Sequence, residues 1–170
     1  VGEYGEEDVR EAARAFTGWS VRGLEFYVDS DAHDAGEKYF LGERGDFDGI
    51  EIIDRILARP QTSRFIATKL YRYFVRDDVL LPAEVQLGER LRAHNYDIGA
   101  YLQELFVSHD FYASAGEHIK SPVELVISTY KKMGLIQVPG VPDFNVVTGA
   151  LGQRLLHPPT VAGWSQGRSW

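Results

Sequence analysis

The densest group of reactive side chains in the chain lies within DSDAHDAGEK, residues 29–38. Asp29, Asp31, His33, Asp34, Glu37 and Lys38 follow one another closely there. An imidazole beside carboxylates suits two kinds of chemistry: a ligand set for a divalent metal, or an acid–base pair tuned by its neighbours. His33, Asp34, Lys38 and Asp31 are therefore the candidate ligand- or metal-binding residues, and a divalent metal is the cofactor such a loop would admit. The Asp29-x-Asp31-x-His33 spacing is superficially that of a calcium loop. Its sixth position, however, is Asp34 where an EF-hand needs glycine, and its twelfth is Phe40 where it needs glutamate, so an EF-hand is excluded. The structural alternative is a surface turn whose aspartates accept from nearby backbone N–H groups.

No other motif competes with this loop. H-E-x-x-H, G-x-S-x-G and the phosphate-binding G-x-x-x-x-G-K-[ST] are absent. The remaining histidines, His94, His109, His118 and His157, are scattered near expected helix ends. With no cysteine in the chain, disulfides, thiolate nucleophiles and zinc–thiolate sites are excluded. A formal net charge of −7 argues against a nucleic-acid binder, which carries a basic footprint. No apolar run approaches the ~20 residues of a membrane-spanning helix. Trp19, Trp164 and Trp170 fall in expected loops, and Trp19 and Trp164, with Arg72, form a candidate binding surface for a sugar or an anion.

The elements that position these groups are mostly helical. Gln61–Val75 is the strongest helix signal: Ile66, Ala67, Leu70, Tyr71, Tyr73, Phe74 and Val75 fall on one broad face at helical spacing. Lys69, Arg72 and Arg76 lie opposite, with Phe65 among them. Residues 6–16 give a short amphipathic helix with Val9, Ala12, Ala13 and Phe16 on one face and Gly18 as a candidate C-cap. Asp48 caps a helix over 49–58, which turns directly into the central helix. Further helices are expected over 82–94, 97–106, 121–133 and 143–151. The one at Ser121 carries an S-x-x-E capping box and proline at its first position. Residues 24–28 and 37–41 read as two strands of one hairpin around the polar loop, and VPGVP at 138–142 reads as a rigid connector. Glu124 is placed to meet Lys69 or Arg72. The expected fold is thus mainly α: a compact single domain over 1–170 with about seven helices and one small β-hairpin.

Several stretches together resemble the bacterial domain-of-unknown-function 1800 family: ARAFTGWSV at 13–21, HDAGEKYFLG at 33–42, SRFIATKLYRYFV at 63–75, IKSPVELV at 119–126 and HPPTVAGWSQGRSW at 157–170. The resemblance spans the chain in the family's order. It implies a C-terminal portion of a longer, mostly helical protein that is periplasmic, in the cell envelope or secreted. It also implies as partners the N-terminal portion of the same chain, a co-encoded exported protein, or a glycan. No membrane span in this chain and no nucleic-acid partner are expected. The family supplies no activity or cofactor. Its H-D-P-G-x-K pattern has proline where this chain has Ala35, which removes one source of loop rigidity. Two functions follow as expectations. One is a non-catalytic module that binds a glycan or protein partner. The other is part of a metal-dependent or acid–base hydrolase centred on His33 and Asp34, with Lys38 or a distant histidine such as His157 completing the site.

Overall fold

The computed structural model describes residues 4–134, 144–161 and 163–164. The elements run α1 (Glu6–Ala15), β1 (Trp19–Arg22), β2 (Glu25–Val28), β3 (Lys38–Phe40), β4 (Glu43–Gly45), α2 (Gly49–Ala58), α3 (Pro60–Phe74), α4 (Leu81–Ala93), α5 (Ile98–Phe106), α6 (His109–Ala113), α7 (Pro122–Lys132) and α8 (Phe144–Ala150). The fold is mainly α, with eight helices among the described residues. Contacts group the chain into two compact units, Val1–Thr68 with Leu81–Ile98, and Lys69–Leu80 with Gly99–Trp170. The division falls inside α3.

The first unit holds the polar loop. Its β structure differs from the single hairpin expected. β2 pairs back onto β1, with Trp19 opposite Val28 and Arg22 opposite Glu25, while β3 pairs with β4, Lys38 opposite Gly45 and Phe40 opposite Glu43. The reason is local. Gly23 takes φ +66° while Leu24 does not turn left-handed, which gives a two-residue turn tight enough to close β1 on β2 within the sequence WSVRGLEFYV. Residues 24–28 are thereby used before the chain reaches 37–41. In the second hairpin both turn residues, Leu41 (φ 51°) and Gly42 (φ 90°), are left-handed.

Ala15, Phe40, Phe47 and Ile52 form the centre of this unit, with Ala12, Phe16 and Leu41 packed against it. Gly49 lets Trp19 and Phe16 lie directly on the start of α2, where a Cβ would meet the Trp19 ring at 2.5 Å. Asp48 and Glu51 close a reciprocal capping box at that helix end. α4 is tied to the α2–α3 corner by Arg92 Nη2 donating to the Ala58 carbonyl (2.9 Å) and Tyr96 Oη to the Leu57 carbonyl (2.6 Å).

In the second unit Tyr71, Val75, Tyr101, Leu105 and Val126 are buried, and Phe74, Phe106 and Phe111 pack in succession, the first pair edge-on and the second tilted, with centroids 5.2 and 5.1 Å apart. The short α6 was not expected. Ser108 caps it by accepting from Phe111 N, and it brings Asp110 to the Tyr71 hydroxyl, which donates to it. Arg76 completes the knot, 3.2 Å from both. Burial, and next the Asp110 carboxylate, push the Tyr71 phenol up to about 12. The capping box at Ser121 is formed. The fold brings Tyr73 to Glu124, its hydroxyl donating at 3.2 Å. Tyr73 is accordingly half-exposed on α3 and not in the interior face where its spacing had placed it. The 138–142 connector and Trp170 lie outside the described residues.

Candidate functional site

One face of α1 organises the polar loop. Asp8, Glu11, Arg14 and Thr17 follow at intervals of three, so they line one side of the helix and its exit. Asp8 accepts from Leu41 N (2.7 Å) and Glu11 from Tyr39 N (3.2 Å). Arg14 grips Asp34 with two nitrogens, at 2.8 and 3.1 Å, and the same carboxylate accepts from Gly36 N at 2.9 Å. The Arg14 guanidinium, and next the Gly36 amide, hold the Asp34 carboxyl at about 2. Thr17 Oγ1 accepts from Asp34 N (2.8 Å) while donating to the Arg14 carbonyl (2.5 Å).

His33 and Lys38 are held by the same device. His33 Nδ1 lies 2.9 Å from the Thr17 carbonyl. A carbonyl only accepts, so this nitrogen carries the hydrogen and, in the neutral ring, Nε2 is the bare one. Gly18 makes the approach possible: a Cβ there would sit 2.5 Å from the Asp29 carbonyl and 3.1 Å from His33 Cβ. Lys38 is fully buried and donates to the carbonyls of Asp34 (2.6 Å) and Gly36 (3.0 Å). A buried ammonium needs such partners to offset its lost hydration. Lys38 thus locks the loop from beneath, which supplies the rigidity that Ala35 does not.

The structure therefore brings His33, Asp34 and Lys38 together, but largely as a clasp whose polar groups satisfy one another. Asp31 is exposed, its N–H donating to Asp29. Among the described residues no three His, Cys, Asp or Glu side chains are grouped so as to hold a metal ion. Trp19 is half-buried between Phe16 and Phe26, edge-on to both at 4.9 and 5.1 Å. Arg72 and Trp164 belong to the second unit, as does the exposed His157, while Trp19 and His33 belong to the first.

The other face of α1 does something the spacing did not foretell. Val9, Ala12, Ala13 and Phe16 share one apolar side, yet Val9 is 56% exposed and Ala13 is exposed. Opposite them stand Ile56, Thr62, Phe65 and Ile66, and between the two walls runs an open apolar groove of about 750 Å³. Phe65, which helical spacing sets among the basic residues of the central helix, lines this groove and is 46% exposed. Phe40 and Leu41 also line it. Leu41 occupies a left-handed position that glycine or asparagine takes far more readily. Both its backbone polar atoms are tied down, the N–H by Asp8 and the carbonyl by Arg59 Nη2 at 3.0 Å. A leucine held there against its own preference puts an apolar side chain at the groove, which a glycine could not do. Leu41 is thus a groove-lining position that spacing alone missed, and the exposure of Val9 is the other feature it did not show. The i, i+3 run of Asp8, Glu11, Arg14 and Thr17 marks the α1 side of the clasp in the sequence and went unread there, and nothing in that run names Asp34 as its partner.

These features define a mainly α protein in which a polar loop fixes one helix and that helix walls an apolar groove. The model of the family described as "Protein of unknown function (DUF1800)" matches residues 1–170, and the chain belongs to that family. No curated protein and no solved structure matches it.

Proposed function

We propose that the chain is a non-catalytic binding module of an exported bacterial envelope protein, and that it takes an apolar segment of a protein partner into the groove between α1 and α3. The observation that carries this reading is the groove itself, an apolar stripe on α1 facing an apolar stripe on α3 with the space between them open. Soluble proteins rarely leave such a surface uncovered without a use for it. A sugar is poorly served there, because its hydroxyls need hydrogen-bonding groups that these walls scarcely provide.

The magnitudes say what the partner must bring. Val9 and Phe65 are about half exposed on opposite walls, so covering each gains roughly 1 kcal/mol. Association costs about 4–15 kcal/mol, so the partner has to bury substantial apolar area of its own. Catalysis centred on His33 and Asp34 is the weaker reading. A carboxylate held at about 2 by Arg14 is a poor base near neutral pH, and the buried Lys38 ammonium is engaged with loop carbonyls.

The test is saturable binding of the neutral solvatochromic dye Nile red to the wild-type chain and to Ala13→Glu. Ala13 is exposed, so the substitution leaves packing intact while placing a charge in the groove. The expected outcome is a blue-shifted, saturable signal in the wild type and its loss in the variant. Equal dye binding by both would sink the proposal.

A further inference from the structure

The groove's chemistry restricts what enters it. An extended peptide brings an N–H and a C=O at every residue, and each needs a partner once it leaves water. The walls have few to offer. Both Asp8 oxygens already accept, from Gly5 N and Leu41 N. Thr62 gives its proton to the Ile56 carbonyl at 2.5 Å, and Arg59 gives one nitrogen to Leu41. Beyond these, among the described residues, the lining holds only the Tyr4 hydroxyl and the Gln61 amide as polar side chains, too few to partner every peptide group of a strand. An α-helix, by contrast, satisfies its backbone internally and presents only side chains along its flank. The α1 wall also has the right relief: Ala12 and Ala13 leave a notch beside bulky Phe16, into which a ridge of side chains from a second helix can settle. Charge points the same way. The first turn of α1 carries Glu6, Glu7 and Asp8; Glu7 is paired with Arg10 at 3.7 Å, Asp8 lines the groove and Glu6 is exposed beside it.

Given that the groove is a binding site, we propose that its occupant is an amphipathic α-helix of a protein partner. Its apolar side chains, at i, i+3 or i+4 and i+7, enter between α1 and α3. Basic side chains on its flank pass the acidic first turn of α1. This is the helix-in-groove mode of peptide recognition, in which side-chain anchors and not backbone pairing supply the affinity.

The experiment uses three labelled peptides of Leu, Ala, Lys and Gln, two of identical composition and one differing by a single proline, each of about 18 residues or five helical turns. One has its leucines at helical spacing, one alternates them as in a strand, and one is the helical pattern with a central proline in place of an alanine. Binding is followed by fluorescence anisotropy against the full chain, and induced helicity by circular dichroism. The helical peptide is expected to bind and gain helicity. The other two should bind at least about tenfold more weakly, and both Ala13→Glu and Val9→Glu should abolish the preference with unchanged melting temperatures. Equal binding of the three peptides overturns the inference. So does oleate displacing Nile red while the helical peptide does not, which would assign the groove to an acyl chain. In that case the dye still depends on Ala13 and the groove remains a binding site. If the dye is indifferent to Ala13→Glu, both proposals fall together.

Discussion

A single backbone angle separates stability from function in this chain. Leu41 sits at φ 51° in a two-residue turn where asparagine is the common choice, and a β-carbon in that region costs roughly 1–2 kcal/mol. Asparagine offsets that cost by hydrogen-bonding locally, so Leu41→Asn is expected to raise stability by up to about 1 kcal/mol, less the packing that Leu41 gives the core, read as a higher urea midpoint at unchanged slope. The same substitution removes an apolar side chain from the groove and should weaken Nile red binding. A variant that is less stable, or that binds the dye unchanged, would show that Leu41 serves packing alone. His33 teaches the complementary lesson. Its type and neighbours advertise chemistry, but its Nδ1 is spent on the Thr17 carbonyl, so reactive side chains close in sequence are a weak guide where the backbone has its own needs.

At the level of elements, the helices were legible because capping chemistry and apolar spacing are local. Asp48 and Ser121 stand at helix starts, each with its box partner three residues on. The hairpins were not, since the choice between pairing 24–28 with 37–41 or with 19–22 turned on the tightness of the Gly23 turn. α6 is only five residues long and has too few positions to show a period. The clasp between α1 and the loop also joins groups far apart in sequence, Arg14 with Asp34 and Asp8 with Leu41, that no window covers. It carries a pH signature. The folded Asp34 carboxyl is held at about 2 against 3.8 for the free side chain. A lowered carboxyl contributes stability that is present above the free value and lost as pH falls toward the folded one. The wild-type melting temperature should thus drop more steeply between about pH 4 and pH 2 than that of Asp34→Asn, which is already lower at neutral pH. Parallel curves for the two proteins would mean that the Arg14 pair does not hold the loop in solution.

The whole molecule is acidic, with a formal net charge of −7, and among the described residues no helix is long and apolar enough to cross a membrane. An excess of acidic groups of this size works against association with the phosphate backbone of nucleic acid and is compatible with the basic flank proposed for the partner helix. Export, proposed above, predicts that fractionation of cells making the native protein recovers it from the envelope or the medium. Recovery from the cytosol alone would refute that part of the proposal. What joins the scales is the two-sided α1. Its polar side is fastened to the loop and its apolar side is a wall of the groove, so the loop sets the wall's tilt. On the binding role proposed above, two relatives with identical groove linings but different loops would then select different ligands. Specificity in such a lineage can drift through residues that never touch what is bound, and comparing linings alone would fail to detect it.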